Sequence, residues 1–120
     1  MSDTTRDIGR YGEDLASAYL ESKDWLIFDR NYAFERAEVD IVATDRNYIV
    51  FVEVKFRSDT YFGQPEDFVT PAKEANIKRA AEAWIYERKM ETAVVRFDII
   101  SIVQKANEAP LITHFEDAFR

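Results

Sequence analysis

The stretch that decides the fold is residues 37–57, AEVDIVATDRNYIVFVEVKFR. Two apolar-rich runs flank the polar Asp45, Arg46 and Asn47, which is the pattern of a β-hairpin. A two-residue loop closed by Asp45 and Tyr48 and a four-residue loop closed by Thr44 and Ile49 give the same register. In it Asp40 lies across from Glu53 and Glu38 across from Lys55, and cross-strand partners share a face. The other face pairs Val39 with Val54, Ile41 with Val52 and Ala43 with Val50, a continuous apolar surface. A three-residue loop would shift the pairing by one and turn Asp40 away from Glu53.

Residues 48–56 are apolar on both faces except for Glu53 and Lys55, as expected of a central strand buried on two sides. Two carboxylates about 5 Å apart repel by roughly 3 kcal/mol at an effective dielectric of about 20. That is large against a typical net stability of about 5–15 kcal/mol. Positive charge is therefore expected between Asp40 and Glu53, part of it from Lys55 and more from a divalent ion. The plainer alternative is a solvated sheet end where acids and a lysine form a surface network.

Working outward, residues 3–23 read as a first helix, with Ile8, Gly12, Leu15, Ala18 and Tyr19 at helical spacing. Gly9, Glu13, Ala16 and Leu20 form a row at the edge of that stripe. Glu13 is either a rim residue reaching a neighbouring element or an ordinary exposed glutamate. Residues 25–32 read as a strand, followed by a turn near Glu35 and Arg36, so three consecutive strands form a meander. Residues 58–69 carry Gly63 and Pro65 and read as a loop, where Tyr61 and Phe62 either stack on a base or anchor the loop to the core.

Thr70 and Pro71 start a second helix that runs to about Met90, with an N-cap hydroxyl and then proline at the first helical position. Ile77, Ala80, Ala81, Trp84 and Ile85 make its buried stripe. Lys73, one turn before Ile77, either snorkels to water or points into a site at the sheet's edge. Residues 92–103 are a further strand, in which Arg96 and Asp98 share a face and are expected to act structurally. Residues 111–115 form a short last strand before a tail, and His114, the one histidine, reads as a surface or packing residue. The expected class is α/β (α+β), a mixed central sheet flanked by helices in the order α-β-β-β-α-β-β.

With 120 residues the chain is expected to form one domain over 1–120, large enough to bury a core. Cysteine is absent, which excludes disulfides, thiolate metal sites and a cysteine nucleophile. The polar start and the lack of a long apolar run lead us to expect a soluble cytoplasmic protein with no membrane partner. A net charge of −7 argues against broad coating of nucleic acid but not against a local site. The basic residues Lys73, Lys78, Arg79, Arg88 and Lys89 gather in one segment.

The central constellation is thus Asp40, then Glu53, Val54 and Lys55, with Glu13 as a further member. Hard oxygen donors beside a lysine suit Mg²⁺ or Mn²⁺. Asp40 and Glu53, with the Val54 carbonyl, are the expected metal ligands, and Lys55 would orient a water or offset developing negative charge. This is the apparatus of phosphodiester hydrolysis.

Asp40 followed by Glu53-x-Lys55 on a hairpin, after a helix carrying Glu13, resembles the PD-(D/E)xK nuclease superfamily and its restriction-endonuclease-like core. The segments GRYGEDLASAYL, EVDIVATD, FVEVKFR, FGQPEDFVTPAK, RFDIISI and HFEDAF more narrowly resemble the YraN family of small bacterial proteins, over nearly the whole chain. Within the superfamily the sequence is similar to archaeal-type Holliday junction resolvases. The resemblance implies catalytic roles for Glu13, Asp40, Glu53 and Lys55. It also implies a DNA partner, with Lys73, Arg57 and Lys78 as candidate nucleic-acid contacts, and a homodimer if branched DNA is the substrate. One departure is visible: Ala37 stands where the family usually has glycine before the Glu-x-Asp segment. The expected function is a metal-dependent endonuclease acting on DNA, with branched or single-stranded forms as the candidate substrates. Its alternative is a non-catalytic nucleic-acid- or protein-binding module on the same fold.

Overall fold

The computed structural model describes residues 5–58 and 69–120. Its elements are α1 (Thr5–Ser22), β1 (Leu26–Phe34), β2 (Ala37–Thr44), β3 (Ile49–Arg57), α2 (Pro71–Arg88), β4 (Val95–Val103) and β5 (Leu111–Phe119). The expected order is present, and the strands form one five-stranded mixed sheet in the order β1-β2-β3-β4-β5. β1, β2 and β3 are an antiparallel meander, β3 and β4 run parallel across the α2 crossover, and β5 returns antiparallel. β3 is central, as its apolar character requires. Tyr61 and Phe62 lie outside the described residues.

The meander follows from its turns. Phe34 pairs with Ala37 across a two-residue loop in which Glu35 takes a positive φ of 56°. The left-handed residue is therefore Glu35, and Ala37 is free to bury its methyl group in the core. At the next turn the Asp45 carboxylate accepts from the N–H groups of Asn47 and Tyr48, each at 2.9 Å, and Thr44 pairs with Ile49 across the four-residue loop. Ala43 then faces Val50 and Ile41 faces Val52, the register expected from the sequence.

The two helices close opposite faces. On one, Ile77, Ala80, Ala81 and Trp84 of α2 pack on Val39, Val42 and Phe51. The Thr70 side chain caps α2 by accepting from the Lys73 N–H at 3.1 Å, a contact that contributes about 1 kcal/mol. On the other face Ala16 and Leu20 of α1 pack on Ile41, Ala43, Val50 and Val52. This corrects the stripe expected on α1: Ile8 and Ala18 are exposed, and Ala16 and Leu20 are at the centre of the buried face. The helix is rotated toward the row containing Glu13. At Gly12 a Cβ would sit 3.0 Å from the Phe56 Cβ, so only glycine lets the helix come this close to β3.

The end of the chain differs from expectation. β5 continues through the supposed tail to Phe119, because the β4–β5 ladder shifts between Phe97 and Ile99 and Asp117 takes a φ of 52°. Phe119 thereby stacks on Phe97 with ring centroids 5.2 Å apart. The same region carries a buried polar clamp. Arg96 donates to both oxygens of Asp98, each at 2.9 Å, and Asp98 also takes the Asp117 N–H at 2.9 Å. His114 Nε2 lies 2.7 Å from Asp98 Oδ2, while its Nδ1 is 3.3 Å from Lys23 Nζ. With its hydrogen on Nε2 the ring donates to Asp98 and leaves Nδ1 to accept from Lys23. These contacts and neighbouring charges hold the Asp98 carboxyl below the usual range against the opposing effect of its burial.

Candidate active site

The site lies where β2 and β3 part. Their ladder ends at Ile41 and Val52, and one residue further on Asp40 Oδ2 accepts the Val54 N–H at 2.8 Å. A side chain has replaced a main-chain partner, so Asp40–Glu53 and Glu38–Lys55 do not continue the ladder, although Asp40 still meets its neighbour strand at Val54. On β1, Asn31 has a φ of 54° and falls between the Arg30–Ile41 and Tyr32–Val39 pairs. Opposite it, at Asp40, β2 turns over. Val39 packs on the α2 side with Val42 and Phe51, whereas Ile41 and Ala43 face α1. The expected Val39–Val54 pair is corrected accordingly, since Val54 packs on the α1 side.

A cavity of about 330 Å³ opens at this fork, with Gly9, Glu13, Asp40, Glu53, Lys55 and Phe56 on its walls and Val54 between the two acids. Larger depressions exist, one of about 540 Å³ around Ile85, Tyr86 and Phe97, but its lining is mainly apolar and its two acids, Glu82 and Glu91, are exposed. Chemistry, not size, distinguishes the smaller cavity.

Glu53 is buried, and two ammonium groups reach its Oε1: Lys55 at 3.6 Å and Lys73 at 3.4 Å. Lys73 thus points to the sheet, as one of its two expected orientations required. Among the described residues Asp40 forms no ion pair with a cation. Burial above all, then the charge of Glu53, and more weakly that of Glu13, push its carboxyl up to about 7. The Val54 N–H and the charge of Lys73 act in the opposite direction. Glu13 occupies the rim, mostly covered, with Oε1 3.7 Å from Arg30. Arg30 in turn holds Asp14 at 2.8 Å.

The fold therefore brings Glu13, Asp40, Glu53, Val54 and Lys55 around one cavity, with Lys73 beside Glu53. Arg57 stands at the end of β3, where its carbonyl accepts the Gln104 N–H at 3.0 Å. Lys78 is elsewhere: its ammonium donates to the Arg120 carbonyl oxygen and lies 6.0 Å from the centre of the Phe119 ring. The sequence reading missed Arg30, the partner of Glu13, and Asn31, whose left-handed backbone lies opposite the turnover of β2. An Asn in a strand is the one cue it offered, since asparagine tolerates the left-handed region.

Among the described residues no group of three or more His, Asp or Glu side chains is arranged to hold a metal ion. Mg²⁺ retains several waters and needs only one or two protein carboxylates, so Asp40 and Glu53 beside Val54 fit a hydrated ion. The raised Asp40 carboxyl marks the same place, because a divalent cation there would offset the repulsion between the acids.

Residues 12–102 match the sequence profile described as "Uncharacterised protein family UPF0102". A UPF0102 protein of Geobacter sulfurreducens is 46% identical over 112 residues, spanning 93% of this chain and 88% of its own. Relatives of the same name in Flavobacterium psychrophilum and Geotalea daltonii are 42% and 41% identical over 113 and 114 residues. These alignments span 94% and 95% of this chain and 93% and 90% of the relatives. The profile match runs from the glycine that seats α1 through the three acids of the cavity to β4, and the chain belongs to the UPF0102 (YraN) family.

Proposed function

We propose that the protein is a divalent-metal-dependent nuclease that hydrolyses DNA phosphodiester bonds at the β2–β3 fork. The observation that carries this reading is the convergence of Asp40, Glu53 and Lys55 on one cavity. Asp40 and Glu53, with Val54, would hold Mg²⁺ or Mn²⁺, which when bound would polarise a phosphoryl oxygen and lower the pKa of a water. Lys55 places an ammonium on the cavity wall, where it orients the attacking water and offsets charge building on the phosphate. Asp40 fixes the Val54 main chain, which keeps the strands apart and the cavity open. Glu13 adds a carboxylate at the rim on the α1 side, with Arg30 to steady it.

A second reading, a non-catalytic binding module, draws on the pairing of Glu53 with both Lys55 and Lys73, which balances its charge without a metal. No helix of the described residues is long and apolar enough to cross a membrane.

The test is incubation with labelled single-stranded, duplex, flapped and four-way DNA in Mg²⁺ or Mn²⁺. Divalent-dependent cleavage is expected, stopped by EDTA and reduced to background in Glu53→Gln. Binding of these DNAs by both proteins with no cleavage by either would favour the second reading.

A further inference from the structure

A second cavity, of about 380 Å³, adjoins the first and is lined by Arg6, Gly9, Arg10, Glu13 and Asn31. The two share Gly9 and Glu13 as a common wall. That wall is low at Gly9, where an added Cβ would stand in open space. Arg6 and Arg10 are one helical turn apart and lie on one face of α1. Among the described residues neither has an ion-pair partner, whereas Arg30 close by is taken up by Glu13 and Asp14.

The two cavities have complementary chemistry. The first presents Asp40, Glu53 and Glu13, which repel a polyanion; the second presents two uncommitted guanidinium groups and the Asn31 amide. In a chain of net charge −7, cations without acid partners beside an acidic cavity are placed to draw an anionic ligand across it. A guanidinium matches a phosphate with paired N–H donors, and an amide N–H₂ adds a neutral donor.

We infer that Arg6, Arg10 and Asn31 form a second phosphate subsite, which holds the DNA strand next to the phosphate at the Asp40–Glu53 cavity. The subsite rests on the nuclease reading of that cavity for its role, and it makes the ligand a strand with successive phosphates, not a single phosphate ester. The strand runs past Gly9 along α1, its reacting phosphate in one cavity and its neighbour in the other.

The test is fluorescence anisotropy of a labelled DNA duplex in EDTA, with KCl varied from roughly 50 to 200 mM. Loss of the one phosphate that Arg6 and Arg10 hold together should make the slope of log affinity against log salt shallower by about 0.9 in Arg6→Gln/Arg10→Gln. The control is Arg36→Gln/Lys105→Gln, which removes the same charge from exposed positions away from both cavities and should keep the wild-type slope. An unchanged slope in the first variant, an equal change in both, or no DNA binding by the wild type would overturn the inference. Cleavage by the wild type with an unchanged slope would overturn the subsite and leave the nuclease reading standing. A shallower slope in a protein that never cleaves would support the strand contact and overturn the nuclease reading.

Discussion

Arg96→Ala should lower stability by about 3–5 kcal/mol, because it strands a fully buried carboxylate. Asp98 has no exposed surface, and two of its four hydrogen bonds come from Arg96. Without the guanidinium, His114 and the Asp117 N–H are left to balance the charge. Arg96 also lies over the rings of Tyr48 and Trp25, at 5.0 and 5.4 Å, and reaches Asp45 in the β2–β3 loop at 3.3 Å. Its removal thus loosens the hairpin turn as well as the β4–β5 pair. Arg96→Lys should lose less, since it keeps the charge and gives up only the two-pronged geometry. Urea denaturation followed by circular dichroism measures the loss; a value below about 1 kcal/mol for Arg96→Ala would place it in the range of exposed pairs and contradict the buried clamp.

Asp40→Asn should act in the opposite direction, stabilising the metal-free protein at pH 8. The Asp40 carboxyl is raised from 3.8 to about 7 in the fold, so between these values the folded chain binds more protons than the unfolded one. Stability then falls as pH rises from about 4 to about 7, and the full penalty, on the order of 4 kcal/mol, applies above that window. Asparagine keeps an oxygen to accept the Val54 N–H and removes the charge that burial and Glu53 oppose. Comparing unfolding free energies at pH 5 and pH 8, the drop between the two should be smaller in Asp40→Asn than in wild type. An equal drop in both would mean that the Asp40 charge is not the source of the strain, and a large loss of stability in the variant would make Asp40 a structural anchor.

The hairpin was legible because its turn is local: Asp45 supplies its own side-chain acceptor, and the alternation of valines and isoleucines then sets the pairing. The helix α2 was legible from Thr70-Pro71 and its apolar spacing. The turnover of β2 at Asp40 was not, because Val39 and Ile41 are both apolar and nothing in their identity says that they face opposite helices. On α1, Ala16 and Ala18 are indistinguishable by composition, and only contact with the sheet selects Ala16. Glu53 and Lys55 could be named from their disruption of a buried strand, and Asp40 from its place on the hairpin across from that strand. Their exact relation depends on the turnover of β2 and the Asp40–Val54 hydrogen bond, which arise only when the strands meet. His114 is a packing residue, one of its two expected roles, against Tyr19 and Trp25, but its partner Asp98 was not legible, because it comes from β4 and the β4–β5 register is not encoded by any short turn.

Calorimetric titration of the metal-free protein with Mn²⁺ at pH 8, wild type beside Asp40→Asn, tests the two-carboxylate site most directly. At that pH the Asp40 carboxyl is largely ionised and ready to bind a cation. The expected result is saturable heat in wild type that is lost in the variant; no saturable heat in wild type, or the same heat in both, would contradict a metal site built on Asp40 and Glu53.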